Sequence, residues 1–256
     1  MRRILALLLL VVALCAMTIG PANAQIESPI GVPMTQAPGW WKFTLGGATA
    51  VVAGDTGAPG WGSKSLVMTT GENQAVASTD LLLVPGITKI SSIVELSYWT
   101  FAQPTSQSSI VSAKAPTLQL AVDVDQDLLW DTHLVYEPAF NGEVVYSTWQ
   151  QWNTLEGLWY STRDIGIAPQ NDPRTLGEIF AHDGGAYFEI AFSLLPADPG
   201  GDLRVQFGSS GGGYPGNVAR ADGIEFQLRN VPEIQTDFEG AVEYVVRLLN
   251  GLADGD

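Results

Sequence analysis

Hydrophobic and polar residues alternate with a period of two along much of this chain. The clearest run is residues 117–125, where Leu118, Leu120, Val122 and Val124 share one face and Gln119, Ala121, Asp123 and Asp125 the other. Successive side chains of a strand point to opposite sides, so this alternation predicts a strand buried on one face. Residues 92–101 repeat it, with Val94, Leu96 and Tyr98 opposed to Glu95 and Ser97. Further strands are predicted at 40–43, 63–69 (through Leu66 and Met68), 132–137 and 144–150. Three later runs follow the same rule: Phe188, Ile190, Phe192 and Leu194; Leu203, Val205 and Phe207; Ile224, Phe226 and Leu228. Residues 237–239 are expected to close the sheet.

The connections are rich in residues that turn a chain. Residues 54–62 hold four glycines and Pro59, residues 209–216 are mostly Gly and Ser with Pro215, and Asn141-Gly142 marks a turn. Residues 104–116 read as a polar loop. One helix is predicted at 173–182, with Pro173 in the first helical position, Thr175 and Glu178 as a capping box, and Leu176, Ile179 and Phe180 as its apolar stripe. A second short helix is predicted at 241–250, although Val245-Val246 suits a strand as well. Many short alternating strands with Gly/Pro turns and few helices predict an all-β fold: an antiparallel β-sandwich, jelly-roll-like, with one or two short helices. The sandwich is expected over residues 40–239, after an extended lead-in at 25–39 and before a tail at 240–256.

Residues 1–24 break the pattern. Arg2 and Arg3 precede an apolar run over 4–17, and Ala22-Asn23-Ala24 offers a small-residue exit, which predicts a secretory signal cleaved after Ala24. The run is shorter than the roughly 20 residues a spanning helix needs. Leu14 stands before Cys15 where a lipid-anchored protein carries a small residue, so a lipid anchor is not expected. The expected address is outside the cell or in the periplasm. Without its only cysteine, the exported chain has neither a disulfide nor thiol chemistry. Its remaining ten basic residues face 27 acidic ones in a sequence of net charge −15. Such a surface repels phosphate backbones, which argues against nucleic acid and suits solubility, divalent cations or cationic partners.

Candidate chemistry gathers between residues 117 and 163, which contain Trp130, Trp149, Trp152 and Trp159 of the eight tryptophans, with Tyr136, Tyr146 and Tyr160. Only His133 and His182 could serve a catalytic triad. Neither has a nucleophile elbow, though Asp131 has same-face spacing to His133. Asp123 and Asp125 would stand ~6.6 Å apart on one strand face, a spacing that permits glycoside hydrolysis without specifying it. Asp123, Asp125 and Asp127, with Asp131 or Glu137, offer the hard oxygen ligands of a structural calcium. Leu128 and Leu134 occupy the positions that an EF-hand loop gives to glycine and to its bidentate acid. Sugar rings stack their C–H faces on aromatic rings. Trp149, Trp152, Trp159 and Tyr160 therefore form a candidate glycan platform, with Gln119, Asp123, Gln150 and Gln151 as polar partners. Tryptophans equally fill the core of a large sandwich, each burying about 150–250 Å².

Several segments together carry a resemblance: Leu118-Gln119-Leu120, Asp123, Leu134-Val135-Tyr136-Glu137-Pro138, Trp149-Gln150-Gln151-Trp152 and Trp159-Tyr160-Ser161-Thr162-Arg163. Thr175-Leu176-Gly177-Glu178-Ile179, Gly216-Asn217-Val218 and Thr236-Asp237-Phe238-Glu239 extend it over most of residues 40–239. The chain resembles secreted bacterial β-sandwich proteins of the carbohydrate-binding-module-like or galactose-binding-like kind, a family without an assigned activity. Tyr160 stands where that family often has a second tryptophan, and Asp222 supplies the aspartate it often carries before the closing strand. The resemblance implies a jelly roll and structural motifs, with no ligand attached. The expected function is a secreted, non-catalytic module that binds an extracellular or cell-wall polysaccharide. A self-associating structural or cell-surface protein and a polysaccharide-cleaving enzyme stand as alternatives.

Overall fold

The computed structural model describes residues 32–33, 40–43, 47–54, 56–71, 74–79, 90–104, 115–124, 131–181, 189–190, 203–208, 216–229, 233–236, 238 and 243–245. The proposed signal, Asp125, Asp127, Trp130 and His182 lie outside them. The first strands are β1 (Val32–Pro33), β2 (Trp40–Phe43), β3 (Thr49–Ala53), β4 (Ser65–Thr69) and β5 (Ala75–Thr79). Next come β6 (Ile93–Ala102), β7 (Thr117–Asp123), β8 (Thr132–Tyr136), β9 (Trp149–Asn153) and β10 (Leu158–Ser161). The last are β11 (Arg174–Thr175), β12 (Glu189–Ile190), β13 (Leu203–Phe207), β14 (Val218–Leu228), β15 (Glu233–Thr236) and β16 (Glu243–Val245). Two short helices, α1 (Pro138–Asn141) and α2 (Leu176–Ala181), accompany them.

These strands make two antiparallel sheets. The nine-stranded sheet runs β1-β2-β5-β13-β7-β8-β10-β11, and β12 also pairs with β7. In the seven-stranded sheet β14 is the hub. It pairs with β6 at residues 219–222 and 225–228, and its other edge is shared between β4 at residues 218–221 and β15 at residues 224–226. β3 and β16 extend that edge, and β9 lies beyond β6. The fold is the antiparallel β-sandwich that the alternation predicts.

The core forms where the apolar faces meet. Leu118, Leu120 and Val122 of β7, Leu134 and Tyr136 of β8, and Val205 of β13 face Leu66 and Met68 of β4, Leu96 and Tyr98 of β6, and Phe226 of β14. Tyr136 sits at the junction. Its ring lies 6.2 Å from Tyr98 edge-on, 5.5 Å from Trp159 and 6.4 Å from Trp152. Each polar tip among these neighbours has a partner, as burial requires. Tyr98 Oη donates to Pro116 O at 2.7 Å, Trp152 Nε1 to Thr100 Oγ1 at 2.8 Å, and Trp159 Nε1 to Thr154 O at 2.8 Å.

Several predicted elements shift. Val94 does not share a face with Leu96 and Tyr98. β14 pairs Gln227 with Glu95 but Leu228 with Ile93, so Val94 is the extra residue of a bulge and its side chain is exposed. The strand expected at 144–150 begins only at Trp149, because Gln150 ties the preceding loop to itself. Its Oε1 accepts from Val145 N at 2.7 Å and its Nε2 donates to Glu143 O at 2.9 Å. α2 starts at Leu176 and not at Pro173, but the capping box is present. Glu178 N donates to Thr175 Oγ1 at 3.2 Å, and Thr175 N donates to Glu178 Oε2 at 3.0 Å. Glu243–Val245, expected within a helix, pairs with β15 as a strand. Phe238 does not extend a sheet but packs on Trp40, ring centroids 5.2 Å apart.

Gly157 shows how tightly the junction is filled. A Cβ there would overlap the Tyr136 ring and approach Asn141 Oδ1 to 2.9 Å. Gly157→Ala should therefore destabilise the fold by about 1–3 kcal/mol, the range for overpacking a dense core. Urea unfolding monitored by tryptophan fluorescence measures this, and an unchanged midpoint would show that the Tyr136 ring has room to move.

Candidate functional site

β7 is buried on both faces. Leu118, Leu120 and Val122 enter the core, while Gln119, Ala121 and Asp123 on the outer face are also at most 2 % exposed. The outer face is the floor of a groove of about 1180 Å³. Register brings the floor together. Arg204 of β13 lies opposite Gln119, Gln119 opposite Val135 of β8, and Val135 opposite Tyr160 of β10. That row spans three strand spacings, about 14 Å. A parallel row carries Thr117 opposite Gln206, and on the other side His133 stands opposite Ala121. The segment after β10 forms one wall through Arg163, Asp164, Ile167, Pro169 and Gln170, and Gln74 and Gly208 line the groove elsewhere.

Hydrogen bonds orient most of these groups. Gln206 Nε2 donates to Gln74 Oε1 at 3.1 Å, and Gln206 Oε1 accepts from Arg204 Nη2. Gln119 Nε2 donates to Thr117 Oγ1 at 3.1 Å, which in turn donates to Gln206 O at 3.2 Å. Gln119 Oε1 is buried and accepts no hydrogen bond among the described residues. At the far end of the row, Tyr160 Oη donates to Glu137 Oε2 at 3.2 Å, and Phe140 packs edge-on against the Tyr160 ring at 5.7 Å. Burial and the Glu137 carboxylate push the Tyr160 phenol above its ordinary range, so it stays a neutral donor.

His133 is held by its backbone. Its N–H donates to Thr162 Oγ1 at 3.2 Å, and Thr162 N donates to His133 O at 3.0 Å. Desolvation first, then the charges of Arg204 and Arg163, lower its pKa well below 6.5. The neutral imidazole lines the groove. Asp131, which the spacing placed beside it, accepts from Val124 N at 2.7 Å and closes the connection between β7 and β8.

The predicted platform residues separate. Gln119 and Tyr160 belong to the groove. Trp159 has no exposed surface and Trp152 is 8 % exposed, so both fill the core and neither presents a face for stacking. Their positions opposite Tyr136 and Tyr98 turn them inward. Trp149 lies on the outer face of the seven-stranded sheet, opposite Phe101 with ring centroids 5.5 Å apart. Asp123 is buried at the end of β7, opposite Glu189. Asp125 and Asp127 lie outside the described residues, and among those residues no three acidic, histidine or cysteine side chains gather as metal ligands.

The sequence reading passed over Arg204, Gln206 and Gln74. Arg204 and Gln206 are the polar half of the Leu-Arg-Val-Gln-Phe alternation, and that half was the available signal.

No protein-family model and no curated protein matches the chain. Among solved structures, the chain is similar to the family 11 carbohydrate-binding module of the cellulosomal cellulase Lic26A-Cel5E of Clostridium thermocellum. Identity is 10 %, the TM-score 0.40, and the match covers 74 % of this chain and 88 % of that one. The Clostridium thermocellum family 11 module in complex with a β-1,3-1,4-mixed-linked tetrasaccharide is similar at 11 % identity and a TM-score of 0.37. Here the match covers 75 % of this chain and 89 % of that one.

The depressed pKa of His133 has a consequence for stability. As pH falls below about 6.5, the unfolded chain takes up a proton at this position that the folded chain refuses, so acidification favours unfolding. The urea midpoint of the wild type should drop between about pH 7 and pH 5.5, and that of His133→Asn should drop less. Coincident pH profiles would show that His133 titrates normally in the fold.

Proposed function

We propose that the chain is an exported, non-catalytic binding module and that its ligand is a polysaccharide held in the groove of the nine-stranded sheet. The observation that carries this reading is the register that sets Arg204, Gln119, Val135 and Tyr160 in one row across a groove lined mostly by polar side chains. A polyhydroxylated chain also suits the surrounding groups, because Gln74, Thr117, Gln206 and Tyr160 combine donors and acceptors. The groove exceeds the roughly 300–1,000 Å³ of small-molecule pockets and favours an extended ligand. Tyr160, braced by Phe140, supplies the aromatic face at its end.

The Trp149–Phe101 pair on the opposite sheet gives a second place where a sugar ring could stack, since both rings are half-buried. The two places are separable by mutation. Native electrophoresis through gels containing different polysaccharides should show retardation by at least one glycan. Gln119→Ala and Tyr160→Ala should each weaken it by about tenfold in affinity, while Trp149→Ala leaves it intact. Loss in Trp149→Ala alone would move the site to the seven-stranded sheet. No retardation across a broad panel, with calcium or with chelator, would remove the glycan reading.

A further inference from the structure

The outer faces of the two sheets differ in chemistry. On the seven-stranded sheet Tyr98 and Trp152 turn inward, so the alternate residues Ser97, Trp99 and Phe101 of β6 and Trp149, Gln151 and Asn153 of β9 turn outward. Register sets them in three adjacent pairs: Phe101 with Trp149, Trp99 with Gln151, and Ser97 with Asn153. Asp222 of β14 lies on the other side of Trp99. It accepts from Ala58 N at 2.7 Å, and Ala58 O accepts from Trp61 N at 3.0 Å. That turn lays the Trp61 ring against Gly223, where a Cβ would come within 2.7 Å of the indole nitrogen. The side chains of six tryptophans are described. Trp40, Trp152 and Trp159 are buried, and the three part-exposed ones, Trp61, Trp99 and Trp149, all belong to this face.

A polar pocket of about 400 Å³ continues this aromatic track. Glu95, Ser97, Gln151, Asn153 and Glu225 line it. Ser97 Oγ donates to Glu225 Oε2 at 2.8 Å, and Asn153 Oδ1 accepts from Leu155 N at 3.3 Å. From Ser97 to Phe101 the pocket and the track together span about 13 Å, four strand rises. Apolar ring faces beside amides, carboxylates and a hydroxyl match a sugar, whose C–H face is apolar and whose edge carries hydroxyls. The described lining of the pocket has two carboxylates and no basic residue, so phosphate, sulfate and uronate groups are disfavoured and neutral sugars fit. Arg220 lies at the far end of the track, opposite Phe101, and is buried with its Nη1 donating to Ser65 Oγ at 3.3 Å.

We propose that this face is a second, weaker glycan site and that one molecule thereby joins two neutral polysaccharide chains. This role rests on the binding-module reading, which supplies the first site. The groove and the aromatic track lie on opposite outer faces of the sandwich, with the core contributed by both sheets between them. Facing sheets stand about 10 Å apart before their outer side chains are counted. A straight chain therefore reaches one site or the other, and two chains are needed to fill both. The smaller volume of the pocket, about 400 Å³ against about 1180 Å³, makes this site the weaker one.

Light scattering tests this role when the purified protein is mixed with soluble neutral polymers of glucose, xylose and mannose, and with polygalacturonate. Scattering from a neutral polymer that retards the protein should rise with protein, pass through a maximum and fall once protein is in excess, as bridging by two sites requires. Trp99→Ala and Asn153→Ala should each cut that rise about tenfold and leave gel retardation within about twofold of the wild type. Preserved retardation also shows that the variant is folded. If Trp99→Ala loses both signals, Asn153→Ala, exposed on the edge strand β9, decides. Gln119→Ala should lower retardation and scattering together. Retardation without any rise in scattering overturns the second site and leaves the binding module standing. A rise that survives in both Trp99→Ala and Asn153→Ala puts the bridging on another surface, such as a contact between two copies of the chain, and overturns the assignment to this face. Scattering from polygalacturonate alone overturns the neutral preference. Absence of both retardation and scattering across the panel overturns the binding module itself.

Discussion

Everything in this fold depends on the contact between two sheets at Tyr136. Its ring meets Trp159 from its own sheet and Tyr98 and Trp152 from the other. Aromatic pairs at these separations add about 0.5–1.5 kcal/mol each beyond the area they bury. Geometry matters as much as energy. The edge-on contact with Tyr98 fixes the spacing of the layers, and the hydrogen bonds of Tyr98, Trp152 and Trp159 fix which way each ring turns. With Tyr136 pinned inward, the next residues on either side of it along β8 are forced outward. That is how Val135 and Glu137 come to line the groove.

The outer face of the nine-stranded sheet is polar but largely covered, a combination that costs stability unless its groups bond to one another. The Gln74–Gln206–Arg204 chain meets part of that demand. So does the link from Gln119 through Thr117 to the backbone of β13. Gln119 Oε1 stands outside these bonds. A surface shaped only for stability would have an apolar residue there, as Val135 is on the neighbouring strand.

The period-two signal carried the fold well because burial on one face is a local property of a strand. It located the strands around Leu66, Leu118, Leu134 and Val205, and the Thr175–Glu178 cap was legible because all its partners lie within one turn. It failed where the pattern depends on distant chain. β3 and β5 are rich in alanine and valine and offer weak contrast, and the bulge at Val94 exists only because β14 pairs there. The site was less legible still. A tryptophan in a strand has the same letter whether it faces sugar or core. Trp149 and Trp152 are three residues apart on one strand and face opposite ways. The groove residues come from β7, β8, β10 and β13, and no spacing within one segment announces that meeting.

β14 has a temporal meaning as well as a spatial one. It lies between β6 on one edge and β4 and β15 on the other, although β4 precedes it by about 150 residues along the chain. Ala58, still farther back, donates its N–H to Asp222 of the same strand at 2.7 Å. A chain emerging from its N-terminus therefore carries β3, β4, β6 and β9 before the strand that joins them exists. The seven-stranded sheet, and with it the lid on the aromatic junction, closes late. Until then β4 and β6 lack the strand that joins their edges, and those edges stay open to wrong partners.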